Sequence, residues 1–139
     1  LGDVYKRQAM IHKCYLAKKH NTPLVVWGSG KPLRDFVFSD DVGKITQYLL
    51  ENYEGVDPLI ISTGEEHSIR DLVIAVADAM DFQGPIVYDD MKPDGQYKKT
   101  TSNKNLMKVL PSDFDFTPFR AGIKQTVNWF IENYEVCRK

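Results

Sequence analysis

Val26-Trp27-Gly28-Ser29-Gly30-Lys31-Pro32-Leu33-Arg34-Asp35-Phe36 is the stretch on which the fold turns. Leu24-Val25 leads into it, so a short β-branched run ends at a glycine-rich turn. Beyond the turn, Arg34-Asp35-Phe36-Val37-Phe38 nearly alternates polar and apolar residues. The pattern predicts two strands around a turn whose glycines take positive φ. Upstream, Met10, Ile11, Cys14, Tyr15 and Ala17 fall at the spacing of an amphipathic helix over residues 9–19, and Asn21, Thr22 and Pro23 end it.

Downstream, Ser39, Asp40 and Asp41 offer side-chain acceptors and negative charge at a helix start. Val42, Ile45, Tyr48 and Leu49 continue that helix to about residue 53. Leu59-Ile60-Ile61-Ser62 has the composition of a buried strand, stopped by Gly64. Ser68 and Asp71 stand at capping-box spacing ahead of an apolar stripe formed by Ile69, Leu72, Val73, Val76 and Met80. Pro85-Ile86-Val87-Tyr88 predicts a further strand, and residues 89–102 form a polar loop holding the turn signal Pro93-Asp94-Gly95. A short helix is expected over residues 105–110. Thr117 then caps, and Pro118 opens, a last helix with Phe119, Ile123, Val127, Phe130, Ile131 and Tyr134 at three- and four-residue spacing.

Strands alternating with helices predict an α/β arrangement, yet three or four short strands are too few for a complete doubly wound sheet. The chain begins at Leu1, and residues 1–8 show no periodicity that continues into the helix. The expectation is an incomplete chain with a foreign start over residues 1–8.

The 139 residues are 42% hydrophobic and 27% charged, the balance of a folded globular chain. A net charge of -1 provides no basic field for a nucleic-acid backbone, so nucleic-acid binding is disfavoured. No apolar run approaches the roughly 20 residues a membrane helix needs. Cys14 and Cys137 lie near opposite ends without metal-ligand spacing, as expected of reduced thiols in a cytoplasmic protein.

Several residues invite a role in chemistry, each beside a plainer one. Gly28-Ser29-Gly30 lacks the third glycine of a dinucleotide fingerprint and the ending of a phosphate loop, so a turn is favoured over a phosphate cradle. Arg34 can hold a phosphate by two parallel bonds or pair with Asp35 or Asp40 on the surface. Trp27 can stack on a ring or fill the core. Asp94 can accept from sugar hydroxyls or close its own turn. Lys98, Lys99 and Lys104 with Tyr97 are expected to be a solvated face. His12, His20 and His67 have no spacing that suggests a metal or a catalytic triad, and no Ser-x-x-x-Tyr-x-x-x-Lys arrangement occurs.

Taken together, residues 26–36, Ser39-Asp40-Asp41, Ser62-Thr63-Gly64-Glu65-Glu66, Ser68-Ile69, Lys92-Pro93-Asp94-Gly95-Gln96 and the Trp129-Phe130 helix resemble one family of extended short-chain dehydrogenase/reductases. These are the GDP-4-keto-6-deoxy-D-mannose epimerase-reductases. The resemblance covers nearly all of residues 9–139. It implies the carboxy-terminal, substrate-binding part of an NAD(P)-dependent epimerase/reductase whose amino-terminal Rossmann domain, with the NADP(H) site, is missing here.

By that resemblance Lys13, Trp27, Arg34 and Asp94 match positions that contact the GDP-sugar, Arg34 through the diphosphate. The complete enzyme is then expected to be a homodimer converting GDP-4-keto-6-deoxy-D-mannose to GDP-L-fucose by C3/C5 epimerisation and NADPH-dependent reduction at C4. No catalytic residue transfers: Tyr5 stands at about the place of the family's acid-base histidine, and neither cysteine falls where its catalytic cysteine belongs. The isolated chain is expected to be inactive. A fragment of another extended reductase using a different nucleotide sugar, or a non-catalytic nucleotide-sugar-binding module, are the competing readings.

Overall fold

A computed structural model describes residues 6–99 and 101–137 of the chain. Helix α1 (Lys6–His20) leads into strand β1 (Leu24–Trp27), and strand β2 (Leu33–Arg34) precedes helix α2 (Ser39–Asn52). Strand β3 (His67–Ser68) runs directly into helix α3 (Ile69–Ala79); strand β4 (Ile86–Asp89), the single turn α4 (Lys104–Met107) and helix α5 (Phe119–Glu132) complete the order. The α/β class expected from the sequence is what is observed.

β1 and β4 pair in parallel, with Leu24 opposite Ile86 and Trp27 opposite Asp89. The pairing is non-local, as parallel strands require: both α2 and α3 lie between the two in sequence. Leu24 and Val26 point inward while Val25 and Trp27 face out, the two-residue alternation of a strand covered on one side. Against the inner face pack Met10, Ile11, Cys14 and Ala17 of α1, Leu72, Val73 and Val76 of α3, and Val127 and Phe130 of α5, forming the main core. A smaller cluster gathers Ile45, Leu106 and Leu110.

The capping box is present in full. Ser68 Oγ accepts from Asp71 N at 3.0 Å, and the Asp71 carboxylate accepts from Ser68 N at 2.8 Å. The Ser68 hydroxyl also donates to the Asp71 carboxylate at 2.6 Å, and this bond first, then that from Ser68 N, holds Asp71 below the usual carboxylate range.

The observed elements depart from the expected ones in several places. The two strands flanking the glycine turn do not pair with each other: β1 joins β4, and β2 is a two-residue strand antiparallel to β3. Residues 35–38 carry no ladder, and neither do residues 59–62, although both have strand composition. Alternation alone cannot satisfy backbone N–H and C=O groups, and among the described residues neither segment pairs with another strand. At the start of α2 the N-cap position is Phe38 and no side chain caps it; Asp41 instead turns inward, 2% exposed, and accepts from Thr117 N at 2.7 Å and Thr117 Oγ1 at 2.9 Å. Thr117 is thereby drawn off the start of α5, where Pro118 takes the cap position. Finally, α1 runs from Lys6, earlier than the helix start expected at residue 9.

Candidate functional site

At the open end of β1 the chain makes two left-handed turns, at Gly28 (φ 83°) and Gly30 (φ 75°). The expected glycine turn is therefore real, and contacts add to the reason for it. A Cβ on Gly28 would lie 2.4 Å from Asp94 Oδ1, and one on Gly30 would lie 2.7 Å from the Tyr88 ring. Asp94 is the residue that fixes this turn: its carboxylate accepts from Ser29 N at 2.6 Å and from Ser29 Oγ at 2.7 Å. The aspartate thus reaches a distant loop.

Trp27 stands outside the core with 65% of its surface exposed. The Lys13 ammonium of α1 lies 4.4 Å from the centre of its ring, within cation–π range. Arg34 is partly buried and donates to the carbonyls of Leu33, at 2.6 Å, and Gln96, at 2.8 Å. Leu33 N donates to Tyr97 O at 2.8 Å. Arg34 thus stitches β2 to the loop that carries Asp94, while Asp35 is committed elsewhere, accepting from the hydroxyls of Ser62, Thr63 and Thr101. Lys13 and Trp27 meet directly, and Asp94 and Arg34 fasten the same loop to either end of the 28–34 segment.

Lys92 is a residue the sequence reading passed over. Its ammonium lies 5.8 Å from the centre of the Trp27 ring. The signal for it is topological, because the parallel pairing of β1 with β4 carries the segment just after β4 alongside Trp27. Lys98 pairs with Glu66 at 2.8 Å. His67 stacks flat on Phe119, with ring centres 4.0 Å apart, at one side of a cavity of about 630 Å³.

The segment does not fit a dinucleotide. Ser29 N is held by Asp94, Gly28 N donates to Asp89 O at 3.0 Å, and a carboxylate occupies the concave side of the turn where a phosphate would need bare N–H groups. Tyr15 and Lys19 have Tyr-x-x-x-Lys spacing, but the Tyr15 ring is packed 4.2 Å from that of Tyr134. Cys14 is buried without exposure, and burial pushes its thiol up to about 11 against a smaller opposing effect of Lys18, so it is no thiolate nucleophile at neutral pH. Among the described residues no group of His, Cys, Asp and Glu is arranged to hold a metal, and no helix is long and apolar enough to cross a membrane.

The profile of the NAD dependent epimerase/dehydratase family matches residues 5–64. A crystal structure of a GDP-L-fucose synthetase from Naegleria fowleri bound to NADP superposes with a TM-score of 0.89 at 43% identity, covering 94% of this chain and 41% of that one. The fold is accordingly that of part of an extended short-chain dehydrogenase/reductase. The GDP-L-fucose synthase of Dictyostelium discoideum is 47% identical over all of this chain, and the probable GDP-L-fucose synthase of Drosophila melanogaster is 41% identical over 99% of it. The chain is similar to GDP-L-fucose synthases over its whole length, and it spans 44% and 43% of the length of those two relatives.

Proposed function

We propose that this chain is the nucleotide-sugar-holding portion of a GDP-L-fucose synthase, an NADPH-dependent epimerase-reductase, and that it grips the GDP end of the substrate. The observation that carries the reading is the exposed Trp27 ring with the Lys13 ammonium 4.4 Å over it, at the mouth of a turn locked by Asp94. An aromatic face beside a cation suits a base or sugar joined to a diphosphate. Arg34 adds a second cation at the seam, and Asp94 acts on the ligand by holding the turn in shape. Epimerisation next to a carbonyl needs an acid–base pair, and reduction needs an oriented hydride donor. The contribution proposed for this chain is orientation: binding energy gathered at the nucleotide end fixes the sugar at a distance.

Calorimetric titration of the chain with GDP and UDP tests this. GDP is expected to bind more tightly than UDP, and Trp27→Ala and Arg34→Ala are each expected to weaken GDP by about tenfold or more. Equal affinity for UDP would remove the assignment to GDP-sugars. No consumption of NADPH with the 4-keto sugar is expected, and turnover above a protein-free control would show that the chain carries the chemistry itself.

A further inference from the structure

We infer that Lys92 is a second ligand-binding lysine, which closes with Lys13 around the Trp27 ring to hold the diphosphate of a nucleoside diphosphate; this rests on the nucleotide-holding role proposed above. Two ammonium groups address one indole, at 4.4 Å and 5.8 Å from its centre. Neither forms an ion pair among the described residues: the nearby Asp89 carboxylate accepts from Met91 N at 3.2 Å, and that of Asp94 is taken up by Ser29. An aromatic ring attracts a cation but neutralises none of its charge. Two unpaired like charges gathered at one ring are stabilised by an anion of at least two charges placed beside it, and the ring gives such an anion a flat neighbour to stack on.

The placement of Lys92 is set by backbone, not by side-chain drift. Its N–H donates to Asp89 O at 3.1 Å, the same carbonyl that accepts from Gly28 N at 3.0 Å. Two residues later Asp94 is fastened to Ser29. Lys92 therefore sits between two anchored points on the rim of the glycine turn, and substituting its exposed side chain leaves both anchors in place.

Titration of the full 139-residue chain with inorganic pyrophosphate, GDP and guanosine, followed by the fluorescence of Trp27 in a Trp129→Phe background, tests the inference. Lys92→Met is expected to weaken pyrophosphate and GDP by about tenfold and to leave guanosine unchanged, and Lys92→Arg to restore most of the loss. Lys31→Met, at an exposed lysine next to the turn, is expected to change pyrophosphate affinity by less than about twofold. Wild-type binding in Lys92→Met, or an equal loss in Lys31→Met, would overturn the role of Lys92 while leaving GDP recognition standing. Equal binding of GDP and UDP, both dependent on Lys92, would support the lysine pair and remove only the preference for guanine. Failure of the wild-type chain to bind pyrophosphate or GDP would overturn both.

Discussion

The two sides of the molecule use similar sequence patterns to different effect. On one side α1, β1, α3, β4 and α5 enclose a continuous core, and β1 and β4 satisfy each other's backbone. On the other, Ile45 of α2, Leu106 of α4 and the following Leu110 are the buried apolar side chains of a smaller cluster among the described residues, while Leu50 and Ile60 stay 84% and 50% exposed. Residues 59–62 hold as many β-branched residues as residues 24–27, yet of these two segments only the latter pairs with another strand. Strand character is thus a property of two segments, never of one.

The difference predicts unequal costs of removing a buried leucine. Leu72 is 1% exposed at the centre of the main core, so Leu72→Ala is expected to destabilise the chain by about 3–4 kcal/mol. Leu106 is as well covered but its cluster is small and edged by partly exposed groups that can close on a void. Leu106→Ala is expected to cost nearer 2 kcal/mol. Urea unfolding of both variants checks this, and equal losses would mean that the smaller cluster is as rigid as the larger.

Glycines on the two sides separate further. Gly28 combines positive φ with a Cβ position 2.4 Å from a carboxylate oxygen, whereas a Cβ on Gly43 within α2 meets nothing inside 4 Å. Gly28→Ala is expected to cost about 2 kcal/mol or more and to loosen Asp94, because a left-handed alanine alone costs about 1–2 kcal/mol. Gly43→Ala should raise stability by about 0.5–1 kcal/mol through helix propensity. Thermal melts measure both, and opposite signs are the expected result.

What could be read from the sequence follows the same division. The helices were legible because their signals are local: the Ser68–Asp71 box and the stripe from Ile69 to Met80 contain everything α3 needs. The glycine turn was legible for the same reason, whereas local sequence left Trp27 and Arg34 open between a site and a plainer role. The partners of those residues were not. That Asp94 would reach Ser29, that Asp41 would leave its own helix start for Thr117, and that Lys92 would arrive over Trp27 all depend on contacts between residues dozens of positions apart. An aspartate near a helix start has the same local sequence whether it caps or tethers, and only packing decides between them.

Helix starts give the smallest effect. Ser68 caps α3, whereas Ser39 opens α2 without any side-chain cap, so Ser68→Ala should cost about 1 kcal/mol and Ser39→Ala less than about 0.5 kcal/mol. The first of these losses depends on pH. Asp71 is held below its ordinary value chiefly by the Ser68 hydroxyl, so the folded state favours the charged carboxylate. The resulting stabilisation is complete above the unfolded carboxyl pKa of about 4 and disappears as pH falls through the lower folded value. The gap between wild type and Ser68→Ala should therefore be widest at neutral pH and narrow toward pH 2, while Ser39→Ala tracks wild type throughout. A gap that stayed constant on acidification would assign the effect of Ser68 to its bond with the Asp71 N–H alone, and α3 would then differ from α2 by one neutral hydrogen bond rather than by a charged pair.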